Sequence, residues 1–78
     1  MQLKELTLNE YKKLSDHEQY DLVFTQGKFL DYHLEGKSRY ALYALYRFFV
    51  EVEYDIKSNK ITNKVSFITG TKLDRYTK

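Results

Sequence analysis

The chain has 78 residues, 42% of them hydrophobic and 17% aromatic, with no Cys, Pro or Trp and a formal net charge of +2. That length holds one domain near the lower limit for a self-sufficient core, burying roughly 60% of the unfolded chain's surface, and the absence of Cys excludes a disulfide framework or a Cys-based metal staple. The start Met1-Gln2-Leu3-Lys4-Glu5 lacks the basic and apolar regions of a signal peptide, and no apolar run approaches the ~18 residues of a membrane span, so a cytoplasmic, non-membrane protein is expected.

Two capping boxes open the chain. Thr7-Leu8-Asn9-Glu10 and Ser15-Asp16-His17-Glu18 each offer a hydroxyl N-cap with a Glu three residues on. Leu6 and Tyr11 stand where a hydrophobic staple would form, so a first helix is expected over about Leu8 to Leu14. The second should run to about Gln26, with Gly27 as a C′ residue able to take positive φ. Its stripe of Tyr20, Val23 and Phe24, edged by Leu22, needs a sheet to cover.

From Phe29 to Glu35 the chain alternates, with Leu30, Tyr32 and Leu34 on one face and Asp31, His33 and Glu35 on the other, which predicts a strand. Gly36-Lys37-Ser38 makes a turn. From Tyr40 to Ile56 every second residue is apolar or aromatic, while the intervening positions pass from Ala41, Tyr43 and Leu45 to Glu51, Glu53 and Asp55. A straight strand of that length would span about 55 Å, too long for this domain, so a bulge or corner is expected near Tyr46-Arg47. A helix over Ser38 to Arg47 is the competing reading.

A hairpin around Ser58-Asn59 would pair Ile56 with Ile61, Val52 with Val65, Val50 with Phe67 and Glu53 with Lys64; its cost is Lys57 facing Lys60, which favours a longer turn. After Gly70, Thr71 to Tyr76 predicts a short helical turn. The whole reads as a single α+β domain over residues 1–78: two short N-terminal helices, an antiparallel meander of three or four strands, and a short C-terminal helical turn. The helices are expected to cover the face carrying Leu30, Tyr32, Val50, Val52 and Val65.

Catalysis gains little support. Gly27, Gly36 and Gly70 are too scattered for a phosphate loop or dinucleotide fingerprint, and His17 begins a zinc-protease-like helix with Asp21 where the second His would stand. His33 between Asp31 and Glu35 reads as part of a solvated strand face. The acidic row Glu51, Glu53 and Asp55 reads as a cross-strand-paired face more than a metal site. No catalytic residue, metal or cofactor is expected.

Binding is the better reading. Residues 1–56 carry seven Lys or Arg against ten Asp or Glu, whereas residues 57–78 carry six basic residues against Asp74 alone. Lys57, Lys60, Lys64, Lys72 and Arg75 could attract nucleic acid or an acidic partner, and Arg47-Phe48-Phe49-Val50 has the basic and aromatic character of RNA-binding strands without their glycines. A protein-binding patch is expected from Tyr43, Leu45, Arg47 and Phe49, with Ile68 across the hairpin, because aromatics with Arg are typical of interface hot spots.

The pattern Leu42-Tyr43, Phe49-Val50-Glu51-Val52-Glu53-Tyr54-Asp55, Asn59-Lys60-Ile61, Phe67 and Leu73-Asp74-Arg75-Tyr76 resembles a family of small bacterial proteins associated with mobile elements. The likeness covers residues 27 to 76. It implies a compact accessory or inhibitor protein, by analogy of size an anti-CRISPR type, and assigns no residue a role. The functional expectation is a non-enzymatic protein that occludes or holds a larger protein or ribonucleoprotein. The alternatives are a small RNA- or DNA-binding protein and a structural homodimer.

Overall fold

Both capping boxes form. In the computed structural model, which describes residues 5–68, the Thr7 hydroxyl accepts the Glu10 N–H at 3.2 Å while the Glu10 carboxylate accepts the Thr7 N–H at 2.9 Å. Ser15 and Glu18 repeat the exchange at 3.2 and 3.1 Å. These caps start α1 (Leu8–Lys12) and α2 (Asp16–Gln26). The first helix is shorter than expected because its end tightens: Lys13 N–H reaches Glu10 O at 3.2 Å and Leu14 N–H reaches Tyr11 O at 3.0 Å, both i→i−3. The buried Gln19 amide on α2 then donates to the carbonyls of Tyr11 at 3.0 Å and Leu14 at 3.2 Å, satisfying α1's loose end and fixing the angle between the helices.

Gly27 ends α2 for a different reason from the one expected. Its φ is −75°, not positive. A Cβ at this position would lie 2.4 Å from the Val23 carbonyl oxygen, so it is the close approach to the last helical turn that demands glycine.

Four strands follow: β1 (Lys28–Glu35), β2 (Ser38–Leu45), β3 (Phe48–Asp55) and β4 (Ile61–Phe67). They form one antiparallel meander in the order β1-β2-β3-β4. The α+β class and the four-stranded sheet therefore match the sequence reading, whereas the expected turn at Thr71–Tyr76 lies outside the described residues.

The long alternating run breaks where expected, yet by reversal and not by a bend. Tyr46-Arg47 is a two-residue hairpin turn, with Leu45 paired to Phe48 and Tyr43 to Val50. Residues 38–45 are strand and not helix. A tight reversal exchanges parity, so the odd positions of β2 share a face with the even positions of β3. Leu45, Phe48, Val50 and Val52 accordingly join Tyr11 and Val23 in the core, all at most 2% exposed.

At β3–β4 the expected register is corrected by two residues at the connection, where Ile61 faces Tyr54 and not Ile56, and by one beyond an irregularity between Glu53 and Tyr54. Val52 faces Lys64, Glu51 faces Val65 and Phe49 faces Phe67. The cause is a longer connection: Asp55 N–H donates to Lys60 O at 2.8 Å, Asn59 N–H to Asp55 O at 2.7 Å, and Asn59 takes φ 59°. This avoids setting Lys57 against Lys60. It also carries Val65 away from the helices, to the opposite face of the sheet. Ile56 N–H donates to the Lys37 carbonyl at 3.0 Å, so the two turns at this end of the sheet are joined.

Candidate protein-binding groove

The eleven residues of α2 reach about 16 Å, while the eight-residue strands reach about 27 Å. The helices therefore cover only part of the sheet. They pack over Leu45, Phe48, Val50 and Val52 and, among the described residues, leave the far end of the same face open. A cleft of about 540 Å³ occupies that end, lined from β1 by Phe29, Tyr32 and Leu34, from β2 by Arg39, Ala41 and Tyr43, and beyond them by Tyr54 and Ile56. Phe29, Tyr32, Leu34 and Ile56 are 48–57% exposed. Contiguous apolar surface of this kind marks an interaction site more than scattered surface residues do.

Aromatic contacts set the walls. Tyr43 stands at the border with the core, edge-on to Phe24 at 5.8 Å and to Phe29 at 5.7 Å between ring centroids. Burial, and then the adjacent Tyr54 phenol, raises the Tyr43 pKa, so its hydroxyl stays protonated at neutral pH. The Arg39 guanidinium lies 4.9 Å from the Tyr54 ring centroid and donates from Nη2 to Asn59 Oδ1 at 3.0 Å. Lys37 and Lys57 flank an adjoining depression with Gly36, Asp55 and Ile56, giving this end of the groove a cationic rim. The Asp55 carboxylate accepts the Ser58 N–H at 2.8 Å, and its hydrogen bonding to Ser58 lowers its pKa.

The five residues expected to form one contact patch are dispersed. Tyr43 lines the groove. Leu45 is fully buried in the core. Phe49 is on the opposite sheet face, stacked on Phe67 at 5.8 Å. Arg47 is exposed in its turn, with Nε 3.7 Å from Glu5 Oε1, and meets Ile68 in a separate depression of about 350 Å³ that also includes Leu6, Leu8 and Phe48. The parity change at Tyr46-Arg47 separates Phe49 from Tyr43, which can share a face only if the strand continues through that point; Leu45 keeps the face of Tyr43 and is covered by the helices.

The basic set is divided as well. Lys57 and Lys60 are exposed in the β3–β4 connection, whereas Lys64 turns toward the helices, its Nζ 2.8 Å from Asp16 Oδ1 and 4.7 Å from the Tyr20 ring centroid. Lys72 and Arg75 lie outside the described residues. Within the acidic row, Glu51 is 2% exposed and Glu53 accepts the Ser38 hydroxyl at 2.9 Å. His17 Nε2 is 3.4 Å from Asp21 Oδ2 on the surface of α2, and the His33 ring lies 6.3 Å from that of Tyr40. Among the described residues no three His, Asp or Glu side chains converge as a metal site would require.

Sequence reasoning assigned Tyr32 to the covered core face and gave Leu34, Tyr54 and Ile56 no binding role. A signal was present: the helical segments are too short to roof the strands they were expected to cover. Comparison of the chain with known protein families, with characterised protein sequences and with solved structures finds no match.

Proposed function

We propose that this protein is a non-enzymatic binding module that receives a segment of a protein partner in the open groove of its sheet. The observation that supports this reading is the uncovered apolar cleft between Phe29, Tyr32, Leu34, Tyr54 and Ile56. A partner segment with apolar side chains would displace water from these walls, and flanking Asp or Glu residues would face Arg39, Lys37 and Lys57. Tyr54 is the central anchor, held in place by the Arg39 guanidinium over its ring. An occluding inhibitor from a mobile element is one form of this binding mode, supported by the family resemblance and by no residue of the groove.

Selection of short random peptides against the immobilised protein tests the reading. The expected consensus combines aromatic or branched aliphatic anchors with acidic flanks, and binding should be lost in a Tyr54→Ser, Ile56→Ser double variant. Failure to enrich any consensus, or binding unaffected by the double variant, would remove the groove as the binding site.

A further inference from the structure

Strand β1 forms one edge of the sheet, and seven of its eight residues are exposed. Leu30, Tyr32 and Leu34 are 43%, 56% and 57% exposed along an edge of the kind that natural proteins usually guard. Two independent observations indicate what covers it.

The first is the direction of its amides. Glu35 faces Ser38 across the two-residue turn, so these residues form the hydrogen-bonded pair, and alternation then turns the Leu34 and Tyr32 amides outward. Consistent with this, the Tyr32 N–H donates to the neighbouring Asp31 Oδ1 at 2.8 Å.

The second is the sequence around that outward amide. Leu30-Asp31-Tyr32-His33-Leu34 reads the same in both directions except that an acid is matched with an imidazole. Two antiparallel strands related by a two-fold axis must place that axis on a residue. An axis between residues would make a hydrogen-bonded pair equivalent to a non-hydrogen-bonded one. Placed on Tyr32, an outward-facing residue, the axis sets Asp31 opposite His33 of the second copy and Leu30 opposite Leu34.

We propose that β1 pairs antiparallel with β1 of a second copy about a two-fold axis at Tyr32, joining two four-stranded sheets into one. The two Tyr32 residues exchange N–H···O bonds. Each Asp31 carboxylate leaves its own Tyr32 amide and turns to His33 across the axis. In the separate monomer the same carboxylate shields the edge. The β-bulge between Phe29 and Asp31 ends the matched pairing at Leu30, so the contact is short and the association concentration-dependent. The pairing runs through the backbone edge of β1, whose Tyr32 and Leu34 side chains also line the groove, and it stands whether or not the groove binds a partner.

Sedimentation equilibrium of the full chain over a concentration series tests the pairing. The expected mass rises from 9.4 kDa toward twice that value. His33→Asp sets carboxylate against carboxylate at both symmetric positions and should weaken the dimer about tenfold, while combining it with Asp31→His restores complementarity and affinity. Circular dichroism checks that each variant is folded. If His33→Asp does not fold, Leu34→Lys, at a position 57% exposed, should weaken the dimer by removing its contact with Leu30. A wild-type chain that stays at 9.4 kDa throughout would overturn the proposal. So would a dimer indifferent to the folded edge variants, or one that the double variant fails to restore.

Discussion

Lys64 on β4 reaches across to Asp16 in the first turn of α2, Nζ to Oδ1 2.8 Å, over the face of Tyr20. The lysine side chain is only 13% exposed while the aspartate is 85% exposed, so the partners are unequal. Removing Asp16 leaves an ammonium that still has an aromatic face; removing Lys64 takes away the cation, its aliphatic stem and the link between helix and sheet edge. Lys64→Ala should cost about 1–2 kcal/mol in urea unfolding and Asp16→Ala about 0.5 kcal/mol. Equal costs would show that the ion pair alone matters.

The Tyr11 phenol is buried beside Phe48, ring centroids 5.1 Å apart, and its oxygen has no hydrogen-bond partner among the described residues. Tyr11→Phe removes that unsatisfied group and keeps the ring, so it should be neutral or stabilising by about 1 kcal/mol. Burial pushes the Tyr11 pKa up from 10.0 to about 12. The unfolded state therefore ionises first as the pH rises. The contribution is intact below pH 10.0 and falls away through about pH 12, and Tyr11→Phe should remove this part of the alkaline loss of stability. An identical alkaline profile in the two proteins would contradict the assignment.

Tyr46 has φ 55° at the β2–β3 turn, a left-handed conformation that a bulky residue rarely adopts. Tyr46→Ala and Tyr46→Asn both lose the ring contact with Phe48 at 6.3 Å, but asparagine tolerates the backbone better. Thermal unfolding should find the Asn variant more stable than the Ala variant by about 1 kcal/mol. The same turn explains the main error in the sequence reading. Alternation from Tyr40 to Ile56 is genuine, but periodicity does not distinguish a bend from a tight reversal, and nothing in Tyr46-Arg47 has the Asn-Gly or Gly signature of a hairpin.

Gly27 and Gly36 separate two uses of glycine. A methyl group at Gly27 would meet the Val23 carbonyl at 2.4 Å, whereas at Gly36 there is open space and the obstacle is a φ of +59°. Gly36→Ala should cost about 1 kcal/mol. Gly27→Ala should cost more, because the end of α2 has to move. Chemical denaturation of the two variants gives the order directly, and the reverse order would exclude the close contact.

Local chemistry was the most legible part of the chain. Thr7 and Ser15 cap as their spacing demands, and the strand at Phe29–Glu35 was evident from alternation. The groove was harder to see because it depends on what fails to be covered. Tyr32 and Leu34 look like core residues in sequence, and only the packed lengths of helix and strand show that no helix among the described residues reaches them. Lys64 was misplaced by the β3–β4 connection: two extra residues between Tyr54 and Ile61, with Asn59 in a left-handed conformation, less one absorbed by the irregularity between Glu53 and Tyr54, move it from opposite Glu53 to opposite Val52.

The hydrogen bond from Ile56 N–H to the Lys37 carbonyl, together with that from Arg39 to Asn59, laces the β1–β2 turn to the β3–β4 connection. The end of the sheet without a helical roof is thus held from its rim. On the proposed binding mode, an incoming segment would meet walls whose shape is already set, so little of its interaction energy would be spent on ordering the receptor. The Ile56 amide, although outside any strand, should accordingly exchange with solvent as slowly as the sheet amides beside it, a local rigidity that belongs to the loops themselves.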